Sequence, residues 1–212
     1  MTQDNPTPEQ SHYFSAAPDV SSRRQRFTLA TARGDLDVMT ESGVFSQHGL
    51  DKGTAVLLET MRRHPVAPPP DGSNLCDIGC GSGAIALTLA TQFPTCTVYA
   101  IDVNERARKL CTENAAANGV ANIVVAAPED VDASLRFEMM WSNPPIRIGK
   151  NELHALLTLW LSRLTPSGHA DIVVSKNLGA DSLAQWIESQ GYSVTRLGSS
   201  KGFRVLDIVT AS

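Results

Sequence analysis

The chain has 212 residues, 42% of them apolar, and a formal net charge of −4. That suits one domain with a full core plus a small appendage, and the acidic balance lacks the basic signature of a typical nucleic-acid-binding domain. No run of about 18 apolar residues occurs, so no membrane span is expected.

Residues 1–22 are expected to form a flexible N-terminal tail. Thr2 to Gln10 is polar, carries prolines and has no signal-peptide pattern, which implies a cytoplasmic location. Residues 23–66 read as a hairpin and helix appendage. Phe27-Thr28-Leu29-Ala30 and Leu36-Asp37-Val38-Met39 flank Arg33-Gly34-Asp35, a β-hairpin turning at the glycine. Asp51 then opens a helix through Thr54, Val56, Leu57, Leu58 and Met61, and Arg62, Arg63, His64 and Pro65 mark its end. The proline-rich segment Pro65 to Gly72 is a stiff linker into residues 67–212, the main domain. There strands are expected near 74–78, 96–101, 122–126, 137–142, 169–175, 191–197 and 203–209, and helices near 83–92, 104–118, 149–164 and 180–190. On the second of these helices Arg106, Arg108 and Lys109 are expected to face outward. Alternating strands and helices imply an α/β fold, a mostly parallel sheet with helices on both faces. The last two strands are joined only by a short loop, which permits an antiparallel pair but not a parallel one.

Leu75-Cys76-Asp77-Ile78-Gly79-Cys80-Gly81-Ser82-Gly83, followed by Ala84 to Gln92, reads as strand, glycine loop and helix. Gly79, Gly81 and Gly83 let the backbone approach a ligand closely. A dinucleotide fingerprint would need glycine at 84 or 86, and both are Ala; no Gly-Lys-Ser/Thr follows for a P-loop. An acid, Asp77, leads the loop, and an acid suits a cationic ligand better than a phosphate. S-adenosylmethionine is such a ligand, with a positive amino group and a sulfonium. A glycine turn that only packs helix on strand remains the other reading. The next strand, Thr97 to Ile101, ends in Asp102, and an acid there commonly holds ribose hydroxyls. Asn104 can cap the following helix, which leaves Asp102 free.

Asn143-Pro144-Pro145-Ile146 follows the apolar run Phe137, Met139, Met140 and Trp141, at the carboxyl end of a buried strand. Two prolines stop a helix and remove two backbone N–H donors. The carbonyls of Asn143 and Pro144 and the Asn143 amide are then free to face a cleft and accept hydrogen bonds from a flat amino group. By itself an Asn-Pro-Pro is only a turn. Ligand is expected beyond the carboxyl ends of the first and fourth core strands, where the glycine loop and Asn143 both fall.

Taken in order, Asp77-x-Gly-x-Gly-x-Gly, Asp102 and Asn-Pro-Pro resemble the class I S-adenosylmethionine-dependent methyltransferases over roughly residues 40–212. Within that family the chain is similar to the guanine-specific methyltransferases of small-subunit ribosomal RNA. Ser42-Gly43-Val44-Phe45-Ser46, Leu50-Asp51-Lys52-Gly53-Thr54, Asp102 to Ala107, Ser142 to Pro145, Gly149-Lys150 and Val173 to Asn177 carry that likeness. The resemblance implies a Rossmann-like seven-stranded sheet with a C-terminal antiparallel hairpin. It implies S-adenosylmethionine as cofactor and ribosomal RNA of the small subunit as partner. Asn143, Pro144 and Pro145 would form the catalytic corner, with the Asn143 side-chain oxygen and the Pro144 carbonyl gripping an exocyclic amine. Asp77 would bind the methionine portion and Asp102, with Val103, the ribose. The backbone of Gly79, Gly81 and Gly83 would approach the cofactor, while Phe45 and the Asp51–Thr54 turn would close over its methionine end. Ile146, Arg147 and Lys150 are the candidate substrate contacts.

The chain departs from that family at several points. Ile146 stands where an aromatic residue is usual, and Arg147 where the similar group carries histidine. Ala127 replaces the usual acid near the adenine amino group, leaving Glu129, Asp130 or a backbone carbonyl to serve. About 40 residues stand where such relatives often carry a further domain. Two other readings are a protein glutamine-amide methyltransferase, mildly favoured by the pI of about 5.7, and a non-catalytic module that binds RNA or a partner. Other basic positions, Arg23, Arg24, Arg26, Arg62, Arg63, Lys176, Lys201 and Arg204, are scattered along the chain. Cys76, Cys80, Cys96 and Cys111 read as small buried residues, and without a second cysteine pair or a histidine couple no metal site is expected.

Overall fold

In a computed structural model, residues 24–42, 44, 49–145 and 149–211 are described. Strands β1 (Arg24–Thr31) and β2 (Gly34–Glu41) form the expected antiparallel hairpin. Gly34 makes its turn possible, with φ at +115°. Leu29 and Val38 from the hairpin are buried against Ala84, Leu87 and Ala115. Asn114 fastens it further. Its amide donates to Met39 O and to Ser82 O, each at 2.8 Å, and accepts from Met39 N at 2.9 Å.

Helix α1 (Lys52–Arg63) starts on an Asp51 cap, whose carboxylate accepts from Gly53 N at 2.7 Å and Thr54 N at 3.1 Å. Its buried residues, Gly53, Thr54, Val56, Leu57, Thr60 and Met61, recur at helical spacing and face the sheet. The main sheet follows. In chain order come β3 (Asn74–Ile78), α2 (Ala84–Gln92), β4 (Thr97–Ile101), α3 (Glu105–Ala117), β5 (Ile123–Ala126), β6 (Phe137–Ser142), α4 (Lys150–Leu161), β7 (Leu164–Ser175), α5 (Ala180–Ser189), β8 (Tyr192–Ser200) and β9 (Phe203–Thr210). Among the described residues the sheet has seven strands in the order β5-β4-β3-β6-β7-β9-β8. The first five are parallel, and β9 runs antiparallel to both β7 and β8. This is the mostly parallel α/β sheet that the alternation implied, with the C-terminal hairpin expected from the short last loop and the Rossmann-like form expected from the family resemblance.

One apolar layer joins α1, α2 and Cys111 of α3 to one face of the sheet, through Leu57, Leu89, Met139 and Trp141. The other joins α4 and α5 to the opposite face, through Phe137, Trp160, Ile172 and Ile187. All four cysteines are buried and free. A register line crosses the sheet through Asp77, Trp141, Asp171, Asp207 and Thr195. Since paired residues share a face, carboxyls at Asp77 and Asp171 flank the Trp141 indole inside the molecule. Asp171 is fully buried, with the Trp141 indole beside it and its Oδ2 3.5 Å from His169 Nε2. Burial, reinforced by the Asp207 charge, pushes its carboxyl up to about 8.

Two expectations are corrected. Helix α4 stops at Leu161, and β7 begins at Leu164 instead of near 169. Pro166 cannot donate within a helix, and Leu164 pairs with Phe137 before the register jumps to Met139 with His169. The extra residues bulge outward, and Gly168 permits it: a Cβ there would lie 2.8 Å from Phe137 O. The second correction concerns α3, where of Arg106, Arg108 and Lys109 only Lys109 is fully exposed and the two arginines are half-buried. Arg106 donates to Glu41 Oε1 at 2.7 Å, and Arg108 donates to the carbonyls of Asp102 and Val103 at 2.8 and 2.9 Å. Glu41 ends β2, which the hairpin lays beside α3.

Candidate functional site

The glycine loop leaves β3 and turns back into α2 with φ of +77° at Gly79, +54° at Gly81 and +88° at Gly83. Each is a left-handed value that favours glycine. Amides of Gly79 and Cys80 donate to Ile101 O at 2.8 and 2.9 Å, which ties the loop to the end of β4. Gly83 is also required by space, because a Cβ there would meet Cys111 Sγ at 2.7 Å. On its other side the loop abuts the proline corner: a Cβ on Gly79 would lie 3.9 Å from Pro145 Cδ.

Asp77 is fully buried beneath this loop. Its Oδ2 accepts from Ala86 N at 3.0 Å, while Oδ1 has no partner among the described residues. Burial raises its carboxyl to about 8, the Ala86 amide opposes that, and the Asp102 charge adds to it. A buried carboxylate oxygen without a donor is costly unless a ligand supplies one. The expectation that Asp102 is free is corrected. Asn104 does cap α3, accepting from Arg106 N at 3.0 Å, yet both Asp102 oxygens are engaged. Oδ2 accepts from Gly81 N and Oδ1 from Asn104 N, each at 2.9 Å. Burial raises the Asp102 carboxyl, with those two amides opposing. Each oxygen keeps lone-pair capacity for a hydroxyl. Val103, next in the chain, is exposed.

Asn143 follows β6, which is pinned to β3 where the Ser142 hydroxyl donates to Ile78 O at 2.6 Å. The Asn143 amide nitrogen donates to Asp51 Oδ1 at 2.7 Å and lies 3.1 Å from Thr54 Oγ1. Asp51 is acceptor-only when ionised, so it decides which way the Asn143 amide points. The amide nitrogen faces α1, and Oδ1 takes no hydrogen bond from the described residues. Gly53 makes room for this, because a Cβ there would lie 3.1 Å from both amide atoms. The cap of α1 thus doubles as the orienting group for Asn143, a role that sequence reading missed because the partners stand 92 positions apart. Pro144 is buried and Pro145 half-buried.

A narrow cleft opens between these parts, lined by Gly79, Gly81, Asp51, Thr54 and Asn143, with Phe27 and Leu50 as apolar walls. Phe27 and Leu50 also went unassigned, since nothing marks a hairpin residue as a wall until the hairpin is docked. Lys150 is exposed at the start of α4, with Gly149 at φ +104° before it. Phe45, Ile146 and Arg147 lie outside the described residues. Ala127 is buried, and Glu129 and Asp130 sit exposed on the short turn after β5. Among the described residues, no three His, Cys, Asp or Glu side chains group to hold a metal ion.

Residues 35–207 match the family model described as "Methyltransferase small domain". The chain is 35% identical over 198 residues to the uncharacterized protein YbxB of Bacillus subtilis (strain 168), covering 92% of this chain and 96% of that one. It is 34% identical over 195 residues to ribosomal RNA small subunit methyltransferase C of Stutzerimonas stutzeri (strain A1501), covering 90% of this chain and 56% of that one. The chain therefore spans little more than half the length of that curated methyltransferase C. Among solved structures it superposes with a TM-score of 0.73 and 20% identity on a T. thermophilus 16S rRNA N2 methyltransferase in complex with AdoMet and guanosine, covering 92% of this chain and 52% of that one. A methyltransferase from Pyrococcus furiosus superposes with a TM-score of 0.60 and 20% identity, covering 79% and 88%. At these identities the superpositions establish the fold.

Proposed function

Since the chain belongs to the methyltransferase small domain family, we propose that it transfers a methyl group from S-adenosylmethionine to an exocyclic amine, that of guanine in small-subunit ribosomal RNA. One observation carries the amine specificity. Asp51 fixes the Asn143 amide so that its oxygen is left to accept, beside the Pro144 carbonyl and next to the glycine loop.

The residues present fit the cofactor. Asp77 Oδ1 is a buried acceptor awaiting a donor, which a cationic amino group satisfies. The left-handed glycines allow backbone to close on a ligand, and the Asp102 oxygens can take ribose hydroxyls. S-adenosylmethionine supplies a methyl group already activated on a sulfonium. The protein's task is then orientation. An amine attached to an aromatic ring is a poor nucleophile, because its lone pair is delocalised. Asn143 Oδ1 and the Pro144 carbonyl accept its two N–H bonds, hold it in line and favour a pyramidal nitrogen. Asp77, Asp102 and the glycine loop would hold S-adenosylmethionine so that it supplies its methyl group to that nitrogen. Neither acceptor is a base at neutral pH, so the proton leaves to water. Ile146, Arg147 and Lys150, which follow the corner in the chain, are the proposed substrate contacts, Ile146 suited to pack on the base and Arg147 to stack its guanidinium or hold a phosphate. Among the described residues no helix is long and apolar enough to cross a membrane, and an RNA substrate of this kind places the reaction in the cytoplasm.

Labelled cofactor offered with naked ribosomal RNA, assembled small subunits and release factors tests the substrate. Label is expected in RNA, on a guanine amine. Label appearing only in protein would overturn the RNA reading in favour of a glutamine amide, whose planar nitrogen the same corner could grip. Asn143→Ala is expected to abolish transfer while calorimetry still shows cofactor binding. Loss of both would mean that Asn143 serves the cofactor instead.

A further inference from the structure

The edge of the sheet that carries the cleft has two electrical halves. All five parallel strands end there, and so does β8, which runs in their direction. Beyond β4 and β5 stand Asp102, Glu105, Glu129 and Asp130. The nearby cations Arg106 and Arg108 are already engaged by Glu41 and by backbone carbonyls. Beyond β6, β7 and β8 stand Lys150, Lys176 and Lys201, all exposed. The acids on this second half are Asp51, held by the Asn143 amide, Glu59, which shares a pocket with Lys201 but is paired with Arg62 and Arg63, Glu152, in the first turn of α4, and Asp181, which is paired with Arg204. Lys176 and Lys201 have no acidic partner among the described residues.

The placement of Lys201 is a second, independent observation. It lies with Gly202 at the tip of the β8–β9 hairpin and has φ of +49°, the only non-glycine residue with positive φ among the described residues. A two-residue hairpin turn of this kind favours Asn-Gly or Gly-Gly. A long side chain in the left-handed region costs about 1–2 kcal/mol, and such outliers point to function. Lys176 is tied to the same turn, since its N–H donates to Gly202 O at 2.8 Å. Strand β7 is the neighbour of β6 and the β8–β9 turn lies two to three strands away, so with strands about 4.8 Å apart Lys176 is offset across the sheet from Asn143 by one spacing and Lys201 by two to three, roughly 10–14 Å. Three or four consecutive phosphates, about 3.4 Å apart along a stacked strand, cover that distance.

We propose that Lys176 and Lys201 form a docking site for the phosphate backbone of single-stranded RNA, Lys176 nearer to and Lys201 up to about four nucleotides from the base whose amine lies at Asn143. The inference rests on the RNA reading given above. On this arrangement the acidic half receives the cationic cofactor, and the basic half receives the polyanion.

The test is a salt titration of binding to a guanine-containing single-stranded RNA, with the full chain and a Lys176→Gln, Lys201→Asn variant. Asn suits the turn better than Lys, so Lys201→Asn removes the charge without endangering the fold, and the melting temperature of the single variant checks this. Each phosphate contact adds about 0.7 to the slope of log affinity against log salt for a single strand. The double variant should therefore lose about 1.4 from that slope. Between about 50 and 200 mM salt the wild type should lose roughly seven-fold more affinity than the variant. In methyl transfer the KM for RNA should rise with kcat and cofactor affinity unchanged. A wild type that methylates RNA while the variant keeps its slope and KM would overturn the docking site alone. A wild type that neither binds nor methylates RNA would overturn the RNA reading, and the docking site with it.

Discussion

Asn143 is useful only in one of its two flipped orientations, and Asp51 selects it. A carboxylate cannot donate, so the side facing it must be the amide NH₂. Asp51 also caps α1, and the two roles can be separated. Asparagine caps a helix about as well as aspartate, but its own amide can present either a donor or an acceptor. Asp51→Asn should therefore keep the melting temperature within a few degrees while lowering kcat by roughly 100-fold, the effect of a small misplacement at a reacting group. Steady-state kinetics beside a thermal melt checks this. An unchanged kcat with a lowered melting temperature would leave Asp51 as a cap only.

At the scale of elements, the glycine loop couples two helices to two strands. It is held by Ile101 O, by Asp102 and, through Ser82 O, by Asn114. Gly83→Ala would place a left-handed Cβ against Cys111 Sγ at 2.7 Å. That should destabilise the protein by about 1–3 kcal/mol and weaken cofactor binding, as measured by denaturant unfolding and calorimetry. Gly119→Ala provides the contrast, because a Cβ there meets nothing within 4 Å and only the backbone strain remains. The alternation of strands and helices, the Asp51 and Asn104 caps and the glycine loop were all legible from the sequence, because each rests on residues within a few positions of one another. The start of β7 was not, because Gly168 is needed only where Phe137 O passes. The partners of Arg106 and Asp102, and the docking of Phe27 into the cleft, were hidden for the same reason: packing between distant segments decides them.

For the whole molecule, the buried carboxyls set how stability responds to pH. Burial raises both Asp77 and Asp171 to about 8, against about 3.9 in an unfolded chain. Between those values the folded state holds a proton that the unfolded state has lost. The stability they contribute is therefore full below about pH 4 and is lost as pH rises through about 8. Asp171→Asn, neutral and of similar size, should flatten that decline in urea melts collected across pH 4–8. An unchanged pH profile would mean that Asp171 does not hold its proton in the fold. The register line through these carboxyls has a further consequence. Trp141 stands between them, 1% exposed, and an indole's emission colour follows the charges beside its ring. The arrival of a cation at Asp77 or the loss of a proton at Asp171 is thus written into the protein's own fluorescence, an intrinsic optical gauge that needs no attached dye.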